Sequence, residues 1–200
     1  MKSREPVAGQ TGPRGILLMH KPVGPTSHDV VNSVRRLFGL RKVGHTGTLD
    51  PLASGLLVMC LGGATRFASY LSNQDKVYRA VIRLGETSAT DDAEGAITGR
   101  FEGDIEAAVG GKTELEKLLT SFLGVINQMP PSYSSKKIEG VPAYTLARRG
   151  KIPALRPANV RIDRIVILSM NLPSIEVEVV CSAGTYMRSF ARDLGAKLGT

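Results

Sequence analysis

The chain has 200 residues, 42% of them hydrophobic, and carries a formal charge of +8 at pH 7. That is enough apolar material for a substantial core in one domain, with at most a small added lobe, and the positive excess points to a polyanionic partner. No apolar run approaches the ~20 residues of a membrane-spanning helix, and residues 1–14 lack the apolar centre of a secretory signal, so a cytoplasmic protein away from membranes is expected.

Residues 1–14 have the composition of a flexible tail. Order begins near Gly15, where Ile16-Leu17-Leu18-Met19 reads as a short strand entering the turn-rich run from His20 through Lys21-Pro22-Val23-Gly24-Pro25. Ser27 is the predicted N-cap of a helix over 28–38. Val30, Val31, Val34, Leu37 and Phe38 fall at helical spacing there, and Gly39 closes it. Arg35, Arg36, Arg41 and Lys42 lead into the densest stretch of the chain, where Asp50 stands between the glycines Gly44 and Gly47 and Pro51. The proline fixes its own φ and pushes the residue before it toward an extended conformation. Residues 55–61 are almost wholly apolar, as in a buried strand, so Asp50 is expected to project from the edge of a rigid core.

Residues 64–71 read as one short helix. Residues 76–84 alternate as a strand, with Val77, Arg79, Val81 and Arg83 on one face and Tyr78, Ala80, Ile82 and Leu84 on the other. A polar, turn-like segment over 85–99 precedes a helix over 113–123, whose Thr113 and Glu116 fit a capping box. Residues 127–156 look least like core: they hold four prolines, two tyrosines and six cations, and a basic insertion of that length suits a binding loop. A short helix over 143–149 is expected within it. Two strands follow, over 160–168 and 174–181, and Thr185 is the predicted N-cap of a last helix. Cys60 and Cys181 sit in apolar runs and read as buried thiols in a reducing compartment. Three histidines with two scattered cysteines give no metal-ligand spacing.

Each chemically suggestive residue also has a plain structural reading. Asp before Pro is a common loop dipeptide, and His45 can serve by bonding loop backbone. Tyr78 is either a core ring or a platform on which a base stacks. Arg188 stands in a helix's first turn, where the macrodipole disfavours a cation, which is better explained by a carboxylate partner than by chance. Asp91 and Asp92 do not complete a Ca²⁺ loop. Lys136, Lys137, Arg148 and Arg149 are either a solvated face or contacts to an RNA backbone, and the nearby tyrosines favour the second.

Together these segments resemble the TruB family of tRNA pseudouridine synthases. The resemblance is carried by Gly15-Ile16-Leu17-Leu18, by Lys21-Pro22 with Gly24 and Thr26-Ser27, and by the run from Gly44 to Gly55. It continues through Lys76 with Tyr78, Leu84-Gly85, Thr90 with Asp92 and Gly95, Gln128 with Pro130-Pro131 and Tyr133-Ser134, Tyr144 with Ala147-Arg148 and Gly150, and Gly184-Thr185-Tyr186 with Arg188. The order and spacing match the family from about residue 15 to the end.

The resemblance implies an α+β pseudouridine-synthase fold, with a mixed, largely antiparallel sheet flanked by helices. It also implies isomerisation of a uridine in the T-loop of tRNA, in a basic cleft. Asp50 then matches the catalytic carboxylate, Arg188 its salt-bridge partner and Tyr78 the ring on the flipped uracil. His45 matches a residue that holds the flipped nucleotide, Asp92 a polar contact to that nucleotide, Tyr186 a pocket wall and Lys21 part of the motif supporting the loop. No cofactor, metal or obligate protein partner is implied, the T-arm of tRNA is the implied partner, and a monomer is expected. Family chains continue with an active-site segment and commonly a PUA domain that are not found before Thr200. Residues 15–200 are therefore expected to be a C-terminally truncated catalytic domain. The competing readings are an RNA-binding module without chemistry and a guide-RNA-dependent relative.

Overall fold

The computed structural model describes residues 12–151 and 154–200, so most of the expected N-terminal tail lies outside the described residues. The chain divides into two compact units, Met1–Asn73 and Gln74–Thr200. Every described strand ladder is antiparallel, and helices accompany the sheets, which makes the fold α+β.

In the first unit the order is β1 (Gly15–Lys21), α1 (Ser27–Phe38), β2 (Val43–His45) and β3 (Gly55–Leu61), then a 3₁₀ segment (Gly62–Phe67) and α2 (Ala68–Ser72). The apolar run 55–61 is the central strand of the sheet β1-β3-β2; it buries Leu57, Met59 and Leu61, whereas Leu56 is 63% exposed, so the strand is not buried throughout as its composition suggested. Val30, Val31 and Val34 of α1 pack with Leu40, Val43, Leu57, Met59 and Leu61. Leu37 at the end of the predicted apolar stripe is 77% exposed and belongs to no core. The N-cap also differs from the prediction. Thr26 caps α1 in a reciprocal capping box with Asp29, and Gly39 closes the helix in the left-handed conformation as expected.

The second unit runs through β4 (Lys76–Arg83), the hairpin β5 (Glu86–Ser88) and β6 (Ile97–Arg100), α3 (Ile105–Val109), α4 (Lys112–Thr120) and β7 (Gly124–Gln128). It continues with the hairpin β8 (Lys137–Ile138) and β9 (Val141–Pro142), α5 (Ala143–Ala147), β10 (Ala158–Asn171), β11 (Ser174–Cys181) and α6 (Met187–Leu198). Its main sheet has the order β4-β11-β10-β7. Ile175, Val177, Val179 and Cys181 of β11 are fully buried, as their alternation predicts, and pack with Leu115 and Leu119 of α4 and Phe190 and Leu194 of α6. Phe122 meets Phe190 edge to face at 5.0 Å.

Four local expectations need correction. The capping box at Thr113 is not formed: α4 starts after Gly111 with no side-chain cap. Thr185 does not cap α6, because its hydroxyl donates to the Ser182 carbonyl. The segment 85–99 contains a two-stranded hairpin. The first part of the supposed insertion is core, since β7 pairs with β10 and Gln128, Pro131 and Ser134 are buried. The β8–β9 hairpin follows, and its turn residues Glu139 and Gly140 both have positive φ, the geometry a two-residue hairpin loop favours.

Cys60 and Cys181 are both unpaired and fully buried, and burial pushes both thiols up from their ordinary range. A thiol-reactive chromogenic disulfide should therefore leave the native chain unlabelled and titrate both cysteines in guanidinium. Rapid labelling of native protein would contradict this packing.

Candidate active site

The candidate residues lie in both units, and each set is built by its own local structure. In the first unit the loop between β2 and β3 carries Asp50. Its carbonyl accepts from Ala53 N at 3.0 Å, closing a turn with Asp at its first position and Pro51 at its second, places those residue types favour. The neighbours of Asp50 are held on both sides. Leu49 N donates to Ser27 Oγ at 2.9 Å, and Ser27 Oγ donates to Leu49 O at 3.1 Å. The Pro51 carbonyl accepts from Gly24 N at 2.9 Å and from Lys21 Nζ at 3.2 Å, and the same ammonium donates to Pro22 O at 2.8 Å.

These bonds give the run from Lys21 to Ser27 a physical meaning. Lys21 supplies a buried ammonium, and Gly24, at φ +111°, turns its amide toward the loop in a conformation open to glycine. Thr26 caps the helix, which frees the Ser27 hydroxyl to reach Leu49. Sequence reasoning gave the cap to Ser27 and so missed its bonds to the loop. Lys21 is 0% exposed, and its bonds to the Pro22 and Pro51 carbonyls place it beneath the loop rather than on an open surface.

His45 ends β2 and is half-buried, and its Nδ1 is buried without a hydrogen-bond partner among the described residues. Burial lowers its pKa below the usual 6.5, and the Gly47 carbonyl works against that shift only in part. In the window below ~6.5 the unfolded chain binds this proton more readily than the folded one, so stability rises with pH there. On acidification from neutral pH the melting temperature of the native sequence should fall further than that of His45→Gln. Parallel curves for the two proteins would refute a buried neutral imidazole.

In the second unit β4 places Tyr78 opposite Val179, on the core-facing side of the strand, partly buried against the main cluster. Tyr186 precedes α6, and its backbone is held at both ends by one amide. Tyr186 N donates to Gln128 Oε1 at 2.9 Å, and Gln128 Nε2 donates to Tyr186 O at 3.1 Å. Arg188 follows in the first turn of α6. Its guanidinium donates to Thr90 O at 3.2 Å and Tyr133 O at 3.0 Å and stands 3.6 Å from Asp92 Oδ2. The other oxygen of Asp92 accepts from Thr90 Oγ1 and from Glu94 N. The structure thus brings together Arg188, Asp92, Thr90 and Tyr133, which the sequence presents in three separate motifs.

One turn further along α6, Arg192 pairs with Asp91 at 3.0 Å and donates to Met129 O at 2.8 Å, and Ser189 Oγ donates to the same carbonyl at 2.7 Å. Neither Arg192 nor Gln128 was singled out as a candidate. An Arg four residues after Arg188 is the signal that could have found the first, since residues so spaced share a helix face.

Arg148 and Arg149 are exposed at the end of α5, with the Arg148 guanidinium 5.5 Å from the centre of the Tyr144 ring. Lys136 is tied to the Arg156 carbonyl at 3.1 Å. Lys137 lies on β8. Among the described residues no cluster of three or more His, Cys, Asp or Glu could hold a metal ion, and no helix is long and apolar enough to cross a membrane.

The model of the TruB family pseudouridylate synthase (N terminal domain) matches residues 35–187. The chain belongs to the TruB family. It is 47% identical over 186 residues to the tRNA pseudouridine synthase B of Syntrophotalea carbinolica, covering 92% of this chain and 59% of that protein. To the protein of the same name from Thermobifida fusca it is 45% identical over 195 residues, covering 92% of this chain and 64% of the other. The chain thus spans about three fifths of the length of these curated relatives.

Solved structures of the same fold include a chain of a Cbf5–Nop10–Gar1 complex, with TM-score 0.68 and 29% identity, covering 95% of this chain and 45% of that one. A second belongs to an H/ACA RNP bound to a substrate RNA containing 2′-deoxyuridine, with TM-score 0.65, 27% identity and coverage of 95% and 44%. The TruB match takes in His45, Asp50, Tyr78, Asp92 and Tyr186; Lys21 and Arg188 fall outside its bounds.

Proposed function

We propose that this chain carries the catalytic machinery of an enzyme that isomerises a uridine in the T-loop of tRNA to pseudouridine. The reaction breaks the bond from C1′ to the uracil N1, rotates the base and joins C1′ to C5; the C5 proton is lost and N1 takes up a proton, so the product is an isomer of the substrate. No co-reactant is consumed. A base inside stacked RNA is out of reach, so the target must be extruded, which costs a few kcal/mol and calls for an aromatic platform and a rigid pocket.

The observation that carries this reading is the support around Asp50. A loop whose flanking backbone groups are bonded to a buried lysine, a serine hydroxyl and a glycine amide holds its acid in a set direction, as a carboxylate that must meet one face of a nucleotide requires. In this reading Asp50 is the catalytic carboxylate and Arg188 its charge partner. The arginine opposes the tendency of an acid close to phosphates to take up a proton. Tyr78 stacks on the uracil, Tyr186 walls the pocket, His45 holds the extruded nucleotide and Asp92 lies beside Arg188 at the nucleotide's polar edge. Lys21 supports the loop from beneath. Arg148 and Arg149, with Lys136 and Lys137, meet the RNA backbone.

The tRNA substrate is supported by the names of the relatives at 45–47% identity, which exceed in likeness the chains from RNA–protein complexes at 27–29%. The test is to incubate the protein expressed from its complete gene with an unmodified tRNA transcript and to map pseudouridine by reaction with carbodiimide. A modified T-loop uridine is expected. Tight tRNA binding with no pseudouridine anywhere would leave an RNA-binding module in its place.

A further inference from the structure

The loop 88–95 and the start of α6 meet through two successive ion pairs. Consecutive carboxylates, Asp91 and Asp92, face two arginines one helical turn apart, Arg192 and Arg188. Neighbouring residues of an extended chain point in opposite directions, so this double match needs a special backbone. It is supplied at Asp91, whose φ is +58°, a left-handed conformation that aspartate enters more readily than most residues but still at a cost. Ser88 completes the turn: its hydroxyl donates to Asp92 O at 2.6 Å and accepts from Asp92 N at 3.0 Å.

The two pairs are unlike. The side chains of Arg188 and Asp92 are 11% and 9% exposed, and their closest approach of 3.6 Å is an ionic contact longer than a hydrogen bond. Arg192 and Asp91 are 32% and 24% exposed and meet at 3.0 Å. An outer, hydrogen-bonded pair therefore stands over an inner pair that a small shift of the loop would open. Arg192 also donates to the Met129 carbonyl, so it joins the loop to the segment that bears Tyr133, another partner of Arg188.

An exposed ion pair taken alone contributes little to stability. Here one member sits in a left-handed conformation and the other bonds a second segment, so the pair is better read as setting geometry than as adding stability. We propose that Asp91 and Arg192 are a positioning pair, which fixes the 88–95 loop on α6 and through it the orientation of Asp92 and Arg188. The proposal rests on the reading of Arg188 as part of the uridine site.

The test uses Asp91→Asn, which keeps the tolerance for positive φ and removes the charge, with Arg192→Gln and the double variant. Single-turnover pseudouridine formation should fall about 10-fold in each single variant, with tRNA affinity and melting temperature near those of the native protein. The double variant should lose no more than either single, because the two act as one device. Arg192→Lys, which keeps the ion pair, should recover most of the rate. Lys117→Gln, breaking an exposed pair on α4, is the control without effect.

A second readout needs no turnover. The side-chain nitrogen resonances of Arg188, assigned by comparison with Arg188→Lys, should be sharp in the native protein and broadened in Asp91→Asn. Unchanged rates, or a loss confined to tRNA affinity, would overturn the proposal. If the native protein makes no pseudouridine, the functional reading fails, and the Arg188 resonances alone decide the positioning role: identical spectra in Asp91→Asn end it.

Discussion

Asp50→Asn should lower single-turnover pseudouridine formation by at least ~1,000-fold while tRNA still binds. The substitution keeps the size of the side chain and leaves the turn intact, because the bond from Ala53 N reaches the Asp50 carbonyl and the bonds from Ser27 and Lys21 reach backbone groups of Leu49 and Pro51. What is lost is the negative charge and its basic or nucleophilic oxygen. Binding should be equal or slightly tighter, since one like charge has been removed from the path of a polyanion. Asp50→Glu makes the complementary point. It restores the carboxylate but moves it by one methylene from a backbone that cannot shift to compensate, and an intermediate loss of about 100-fold is expected. The assay is tritium release from C5-labelled tRNA with enzyme in excess. Retention of more than a tenth of the native rate by Asp50→Asn would remove Asp50 from the chemistry.

Lys21→Met is expected to have the largest effect on stability. The lysine is fully buried, and its ammonium donates to the carbonyls of Pro22 and Pro51. Methionine matches the stem in length and shape but offers no donor. Two opposing effects decide the size of the change. Removing the ammonium relieves its own desolvation, but it leaves two part-buried carbonyl oxygens with fewer donors, at ~1–3 kcal/mol. Pro51 O keeps the Gly24 amide, so the loss should lie near 2 kcal/mol rather than higher. Thermal denaturation reads this as a lowered midpoint. Because Pro51 follows Asp50 directly, the rate should fall as well, by about 10-fold or more, with tRNA affinity little changed. An unaltered melting temperature together with an unaltered rate would show that the ammonium is not a support of the loop.

These two residues also show how differently parts of the chain can be read. The turn at Asp50 was legible because its neighbours restrict the backbone in ways that depend on residue type alone. Lys21 was legible as part of a pattern, yet its role came from a bond to a residue 30 positions away. Ser27 was misread for the same reason. As a serine ahead of an apolar stripe it has every local mark of an N-cap, but Thr26 takes that place and the serine hydroxyl bonds a loop 22 residues on. The opening of the supposed insertion was misread because prolines and polar residues look like loop. Gln128 is in fact 1% exposed, with its amide spent on the Tyr186 backbone.

The sequence by itself determined the strands and helices whose periodicity is strong, the family and the buried thiols. Those depend on side-chain type and on spacing within one or two turns, which propensity and hydrophobic alternation express directly. Only the tertiary structure decided that the chain forms two compact units, that Lys21 and Ser27 hold the loop of Asp50, and that Asp91 and Arg192 stand beside Asp92 and Arg188. Each of these assignments within a unit joins a polar group to a partner far along the chain. A buried donor or acceptor must find some partner, but nothing in its local neighbourhood says which one.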